Sequence, residues 1–169
     1  GYALAGLATG SNVGIQSSVI YMTIYIIMNL GFFSCLLMMK RNNIYYEQID
    51  DLSGLSKNHP LLSISLLLIL FSLAGIPPLA GFFAKFYIFK SVIEQSMYFL
   101  AIVGLLSTVV AAFYYLRIIK IMYFDEEKDS YDKDHNLWLK LSLTVSTILI
   151  LMYFIFPSEL IDVVSKINI

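Results

Sequence analysis

The sequence predicts an all-α polytopic membrane protein with about four complete transmembrane crossings and a partial one at its start. One crossing is broken at Gly75-Ile76-Pro77-Pro78. Three observations carry this reading. Hydrophobic residues fill 59% of the 169 positions and charged residues only 14%, and mean hydropathy is +0.77, above that of an ordinary soluble domain. The charges cluster in two polar stretches, 40–59 and 124–136. Around those stretches run apolar segments of helical length, the kind that cross a hydrocarbon core ~30 Å thick. No repeat, linker or second domain is visible, so 1–169 reads as a single transmembrane domain.

Composition also excludes function classes. A net charge of −1 gives no electrostatic case for nucleic acid. The single cysteine, Cys35, lies in an apolar run and reads as a small buried hydrophobe, so no disulfide or multi-cysteine metal site is available within the chain. There is no glycine-rich phosphate loop, no nucleophile paired with a base, and no ligand cluster for haem, iron–sulfur or zinc. No cofactor and no metal is therefore expected here, and redox chemistry is not this chain's own.

Residues 1–8 are about half a span, and Thr9-Gly10-Ser11-Asn12 is a turn. The half-span reads as the tail of a helix that begins earlier. The sequence is thus expected to be the C-terminal part of a longer protein or one product of a split gene. Residues 13–39 form the first complete crossing. Within it Tyr21, Tyr25 and Asn29 recur every four residues and share one face. Polar groups on a membrane helix bond to neighbouring helices or line a hydrated path, and both readings stay open for Tyr25 and Asn29. The first polar loop, 40–59, carries Lys40, Arg41, Glu47, Asp50, Asp51 and Lys57. Its stretch from Asp50 to Leu55 reads as a short surface helix or turn, with the paired carboxylates as a solvated cap rather than an acid–base pair. His59 precedes Pro60, a residue favoured in the first turn of a helix, and marks a boundary.

The organising stretch is 63–94. Its apolar runs, 61–74 and 82–93, are each too short to cross alone at ~1.5 Å per residue. Between them Pro77 and Pro78 remove two backbone donors, and Pro77 pushes Ile76 out of the helical region. The reading is one crossing made of two half-helices, with Gly75, Pro77, Pro78 and Gly81 forming an unwound link at mid-depth. Lys85 then falls in the first turn of the second half-helix, near the bilayer centre. An ammonium there is expensive and marks a functional site by default. The competing reading is one kinked helix with Lys85 snorkelling from its end. It leaves 86–93 apolar beyond that end, and Lys90 fits the snorkelling role better. Broken helices recur where transporters hold ions. Burial disfavours a charged lysine and a nearby carboxylate favours it, so a moving partner charge would load and unload a proton without a cofactor. The carboxylates of this sequence lie in loops or at span ends, which places such a partner on other sequence.

Gln95-Ser96 makes a very short turn before the next crossing, 97–123. That crossing is aromatic toward its end at Phe113-Tyr114-Tyr115, with Arg117 and Lys120 as interfacial anchors. The second polar loop, 124–136, holds Asp125, Glu126, Glu127, Asp129, Asp132 and Asp134, and a His135 without the spaced cysteines that zinc takes. Trp138 opens the last crossing as an interface residue. It ends at Phe156-Pro157, and 158–169 is a short amphipathic tail. Two crossings separate the long loops, so both lie on one side, with Lys40, Arg41, Lys57, Lys120, Lys128, Lys133 and Lys140. The positive-inside rule puts that side in the mitochondrial matrix or bacterial cytoplasm.

Phe71-Ser-Leu-Ala-Gly-Ile-Pro-Pro-Leu-Ala-Gly-Phe-Phe-Ala-Lys-Phe-Tyr resembles the broken-helix motif of the antiporter-like subunits of respiratory complex I. Tyr21-Met-Thr-Ile-Tyr-Ile-Ile-Met-Asn-Leu-Gly-Phe-Phe and Ala112-Phe-Tyr-Tyr-Leu-Arg-Ile-Ile-Lys-Ile-Met-Tyr-Phe are similar to the subunit N branch, called NADH dehydrogenase subunit 2 in mitochondria. The resemblance runs through nearly the whole chain. It implies the C-terminal half of an antiporter-like fold, with Lys85 as the family's proton-transferring lysine on its terminal broken helix. It also implies a membrane subunit of a proton-translocating NADH:ubiquinone oxidoreductase, with NADH, FMN, iron–sulfur clusters and ubiquinone in other subunits. The implied partners are a neighbouring antiporter-like subunit, small membrane subunits, lipids, and a chain carrying the missing N-terminal half. The implied location is the mitochondrial inner membrane, or alternatively a bacterial plasma membrane. The family's first half, with its membrane glutamate, further lysines and inverted companion repeat, is not in this sequence. The multisubunit Na+/H+ antiporter has a component, lettered D, that shares a similar motif and is the alternative, although Asn29-Leu-Gly-Phe-Phe and Ala112-Phe-Tyr-Tyr-Leu-Arg favour complex I. A third reading is a purely structural subunit whose Lys85 only pairs with a neighbour.

Overall fold

The computed structural model describes residues 1–41, 44–45, 48–127, 131–132, 136–155 and 164. Expectations resting on Glu47, Lys128, Asp129, Lys133, Asp134, His135, Phe156-Pro157 and the amphipathic tail lie outside the described residues. The described residues form α1 (Tyr2–Leu7), α2 (Asn12–Met38), α3 (Leu55–Asn58), α4 (Pro60–Ala74), α5 (Ala80–Glu94), α6 (Tyr98–Phe124) and α7 (Leu137–Ile155). One feature departs from the all-α expectation. Strands β1 (Lys40–Arg41) and β2 (Ile44–Tyr45) pair antiparallel, Lys40 opposite Tyr45 and Arg41 opposite Ile44. The pair follows directly on the end of α2 at Met38.

Local chemistry sets the helix ends. Ser11 caps α2, its Oγ accepting from the Gly14 N–H at 3.1 Å. The expected surface turn is a 3-10 turn, Ile49–Leu52, in which the Asp51 carboxylate accepts from the Gln48 N–H at 3.0 Å. Pro60 opens α4, where its missing N–H costs nothing. Asn136 begins α7, its Oδ1 accepting from the Trp138 N–H at 3.0 Å. Helices α2 and α6, 27 residues each, are long and apolar enough to cross a membrane. Helices α4 and α5 have 15 residues each, or ~22 Å of helix.

Helix α2 is the spine, packed by α1, α4, α5 and α7. Small residues let the backbones close in, as is usual between membrane helices. A Cβ on Gly31 would come within 2.8 Å of both Ile69 of α4 and Ser146 of α7. Three residues on, Ser34 Oγ donates to Ser142 Oγ of α7 at 2.9 Å. Ser18 Oγ likewise reaches the Ala3 carbonyl of α1 at 2.9 Å. Leu66, Ile69 and Leu70 of α4 and Ile88 and Val92 of α5 fill the centre, all fully buried. Cys35 is buried with them, as its apolar setting implied.

The polar stretches meet at one end of the helices. The Gly54 N–H bonds the Ile121 carbonyl at 3.3 Å, and the Asp132 N–H bonds the Lys40 carbonyl at 2.9 Å. The Tyr131 N–H donates to His59 Nε2 at 3.1 Å, while its hydroxyl donates to the Asp51 carbonyl.

Candidate functional site

The site forms where α4 ends and α5 begins. A helix leaves its last four carbonyls without intrahelical partners, here those of Phe71, Ser72, Leu73 and Ala74. Gly75, left-handed at φ 86° and ψ 35°, stops the helix. Its N–H bonds the Ser72 carbonyl at 3.0 Å, and the Ile76 N–H bonds Phe71 at 3.0 Å, the paired bonds of a Schellman ending. Leu73 and Ala74 remain, and both are taken by one side chain. Lys85 Nζ donates to the Leu73 carbonyl at 2.9 Å and to Ala74 at 3.1 Å. A cation therefore sits at the negative end of the α4 dipole, the favourable arrangement.

The chain after Gly75 aims Lys85 there. Pro77 and Pro78, joined by a cis peptide, contribute no N–H, and the Leu79 N–H closes the turn on the Ile76 carbonyl at 3.2 Å. Helix α5 then starts beside the last turn of α4. Ser72 Oγ accepts the Gly81 N–H at 3.0 Å, and a Cβ on Gly81 would lie 1.9 Å from the Ser72 carbonyl oxygen. Because α5 begins at Ala80 with Leu79 as its N-cap, Lys85 falls in the second turn, not the first. One further turn of helix is what carries the ammonium back over the end of α4. On Gly75, a Cβ would stand 3.3 Å from Lys85 Nζ.

Lys85 is 8% exposed. Among the described residues no carboxylate is within ion-pair distance of it. Its Nζ instead faces the ring of Tyr2, 5.3 Å from the centroid. A cavity of about 470 Å³ adjoins Gly75 and Lys85 and passes Phe86, Phe89 and Thr108 to Lys90 and Glu94, themselves 3.8 Å apart as an exposed ion pair.

Tyr25 and Asn29 make no hydrogen bond to Lys85, although Tyr21 on their face packs at 5.9 Å against Tyr2, the ring beside Lys85. Tyr21 is buried, whereas Tyr25, stacked on it at 5.9 Å, is 39% exposed. Asn29 Nδ2 donates to the Tyr25 carbonyl at 2.7 Å, a bond within its own helix rather than to a neighbouring one. Tyr25 and Asn29 border a lateral groove of about 360 Å³ with Met22, Leu30, Phe33 and Leu37, in which Lys85 has no part. Sequence reasoning missed Tyr2, Ser72 and the two α4 carbonyls. Ser72 stood nine residues before Gly81 inside the motif, but nothing local ties Tyr2 to a lysine 83 positions away.

Two apolar helices of membrane-crossing length, packed with their neighbours through small residues around the buried Lys85, make a helical fold of a kind that membranes accommodate. Comparison with known proteins narrows the class: the chain belongs to the NADH:quinone oxidoreductase/Mrp antiporter transmembrane family, whose model matches residues 1–111. Over 169 residues it is 80% identical to NADH-quinone oxidoreductase subunit N of Pelagibacter ubique, covering 100% of this chain and 36% of that protein. It is 47% identical over 161 residues to the protein of the same name in Paramagnetospirillum magneticum, covering 95% of this chain and 33% of that one. The chain thus spans about a third of the length of the curated relatives it matches. Among solved structures, a chain of respiratory complex I from Thermus thermophilus superposes with a TM-score of 0.79 at 24% identity, over 95% of this chain and 36% of that one. A chain of the Mrp complex from Dietzia sp. DQ12-45-1b gives 0.83 at 19% identity, over 96% and 39%. The architecture is the antiporter-like membrane fold.

Proposed function

We propose that this chain is the C-terminal part of a membrane-arm subunit of a proton-translocating NADH:quinone oxidoreductase, and that Lys85 carries a proton through it. The observation that carries the reading is the Lys85 ammonium, buried on the last two carbonyls of α4. Helices α4 and α5 together make one discontinuous crossing with Gly75, Pro77, Pro78 and Gly81 at mid-depth. α2, α6 and α7 supply the other full crossings of a single domain, and α1 is a partial one.

The mechanism follows from the capping role. When protonated, Lys85 holds α5 against the negative end of α4. When it gives up the proton, the charge that held it there is gone, and the side chain is released toward the cavity that leads to Lys90 and Glu94. Proton occupancy and helix-junction geometry then change together. Tyr25 and Asn29 line a path only where a neighbouring surface closes their groove.

NADH, FMN, iron–sulfur clusters and quinone belong to other subunits. The partners are a neighbouring antiporter-like subunit, small membrane subunits, lipids and the sequence carrying the N-terminal half. The bacterial sources of the relatives favour a plasma membrane over the mitochondrial inner membrane. The basic loop residues favour the cytoplasmic side for 40–59 and 124–136.

The test is Lys85→Met in the assembled complex. The rate of proton translocation should fall on the order of 10²-fold, the scale of a lost acid–base group. Unchanged protons per electron at unchanged turnover would leave Lys85 a structural cap. The alternative, an Mrp-type Na+/H+ antiporter subunit, falls in the same family, whose model takes in both kinds of subunit. Mass spectrometry of the detergent-extracted assembly separates the two. Co-purifying flavin and iron–sulfur subunits support the oxidoreductase, and antiporter subunits alone support the exchanger.

A further inference from the structure

An ammonium has three N–H donors, and the carbonyls of Leu73 and Ala74 account for two of those on Lys85. Beyond those carbonyls Nζ also lies over the ring of Tyr2, 5.3 Å from its centroid. The negative face of an aromatic ring attracts a cation within about 6 Å, most strongly where water is excluded. No carboxylate among the described residues lies within ion-pair distance of Nζ, so that face adds its negative potential to that of the two carbonyls.

The ring is fixed from several sides. Its hydroxyl lies 3.0 Å from both Ser107 Oγ and Thr108 Oγ1 of α6. Phe89 meets it edge-on at 5.9 Å and 82°, and Tyr21 lies at 5.9 Å and 57°. Phe89 has its place because α6 carries Gly104 opposite it, where a Cβ would approach within 2.5 Å of the Phe89 ring. Tyr2 is thus bound to α6 at its tip and packed against Tyr21 of α2 and Phe89 of α5, while Lys85 Nζ lies over its ring.

We infer that Tyr2 is a positioning residue: its ring face holds the Lys85 ammonium on the end of α4, and its hydroxyl ties that contact to α6 through Ser107 and Thr108. The inference rests on the reading of Lys85 as a proton carrier. It adds that the ring's electron density sets how firmly the charged side chain is held, and that α6 registers whether it is held.

The test replaces Tyr2, within the complete subunit and assembled complex, by phenylalanine and then by phenylalanines carrying one, two and three ring fluorines. Fluorination draws electron density from the ring face and leaves its shape nearly unchanged, so a merely structural role would not respond. The rate of proton translocation should fall severalfold with phenylalanine, which keeps the ring face over Lys85 but loses the hydroxyl tie to Ser107 and Thr108, and should fall further, stepwise, with each fluorine. Tyr2→Leu should lower it roughly tenfold, the scale of one desolvated cation–π contact. A flat response across the fluorinated series overturns the inference, as does phenylalanine proving as impaired as leucine. Lys85→Met, measured alongside, distinguishes the two failures. If it too pumps normally, the reading of Lys85 falls, whereas if it is impaired and the series is flat, only the role of Tyr2 falls.

Discussion

Gly81 has no room for a side chain. Its N–H is bonded to Ser72 Oγ, and a Cβ would be driven into the Ser72 carbonyl. Substitution has to push α5 off the last turn of α4, and Lys85 moves with it. Gly81→Ala is therefore expected to destabilise the fold by about 1–3 kcal/mol, read as a lowered thermal midpoint of the detergent-solubilised assembly. Asn29→Leu is the contrast. Its amide serves its own helix on a half-buried face, so the midpoint should move by no more than about 0.5 kcal/mol equivalent. At this scale Lys85 was legible as a cation early in an apolar run, and Gly75 and Gly81 as glycines flanking the Pro77-Pro78 pair. Asn29 was only half legible. The four-residue spacing placed it on a face with Tyr21 and Tyr25, but that face turns from buried at Tyr21 to open at Tyr25.

Helices read well as units because their limits are local. Each polar stretch ended a helix within about a residue of the expected position: α2 spans Asn12–Met38 against 13–39, and α6 spans Tyr98–Phe124 against 97–123. The β1–β2 pair escaped notice because two-residue strands leave no periodicity to find. Helix α6 has the most apolar window, with mean hydropathy 2.2, yet only 6% of that window is buried within the chain. Its outward face therefore meets lipid or another apolar surface. Val110, 58% exposed near its middle, tests this. Val110→Asp should raise the cost of membrane insertion by about 2.5–3.5 kcal/mol, measured with a translocon insertion reporter. Efficient insertion of the aspartate variant would mean that this face is not in hydrocarbon.

Across the whole molecule, the two polar stretches act as one cap. Tyr131 joins them, with its backbone on His59 and its hydroxyl on the Asp51 carbonyl, while Gly54 packs beneath Glu127. Tyr131→Phe keeps the ring against His59 and removes the hydroxyl, so it should cost about 1 kcal/mol. The readout is faster hydrogen exchange around residues 48–58, with α2 and α4 unaffected. That the loops share an end followed from counting crossings. That they touch, and through which groups, did not.

By itself the sequence determined that the chain is helical and membrane-embedded, where its apolar helices begin and end, and that one lysine lies beside a proline-marked interruption. These properties depend on transfer energies and backbone restrictions that act on neighbouring residues. Tertiary structure alone decided what surrounds that lysine. The carbonyls of Leu73 and Ala74 became its partners because the turn through 76–79 returns α5 to the end of α4. The Tyr2 ring became its neighbour because α1, α5 and α6 pack together. No periodicity records such contacts, since they depend on how separate helices stack rather than on what each residue prefers.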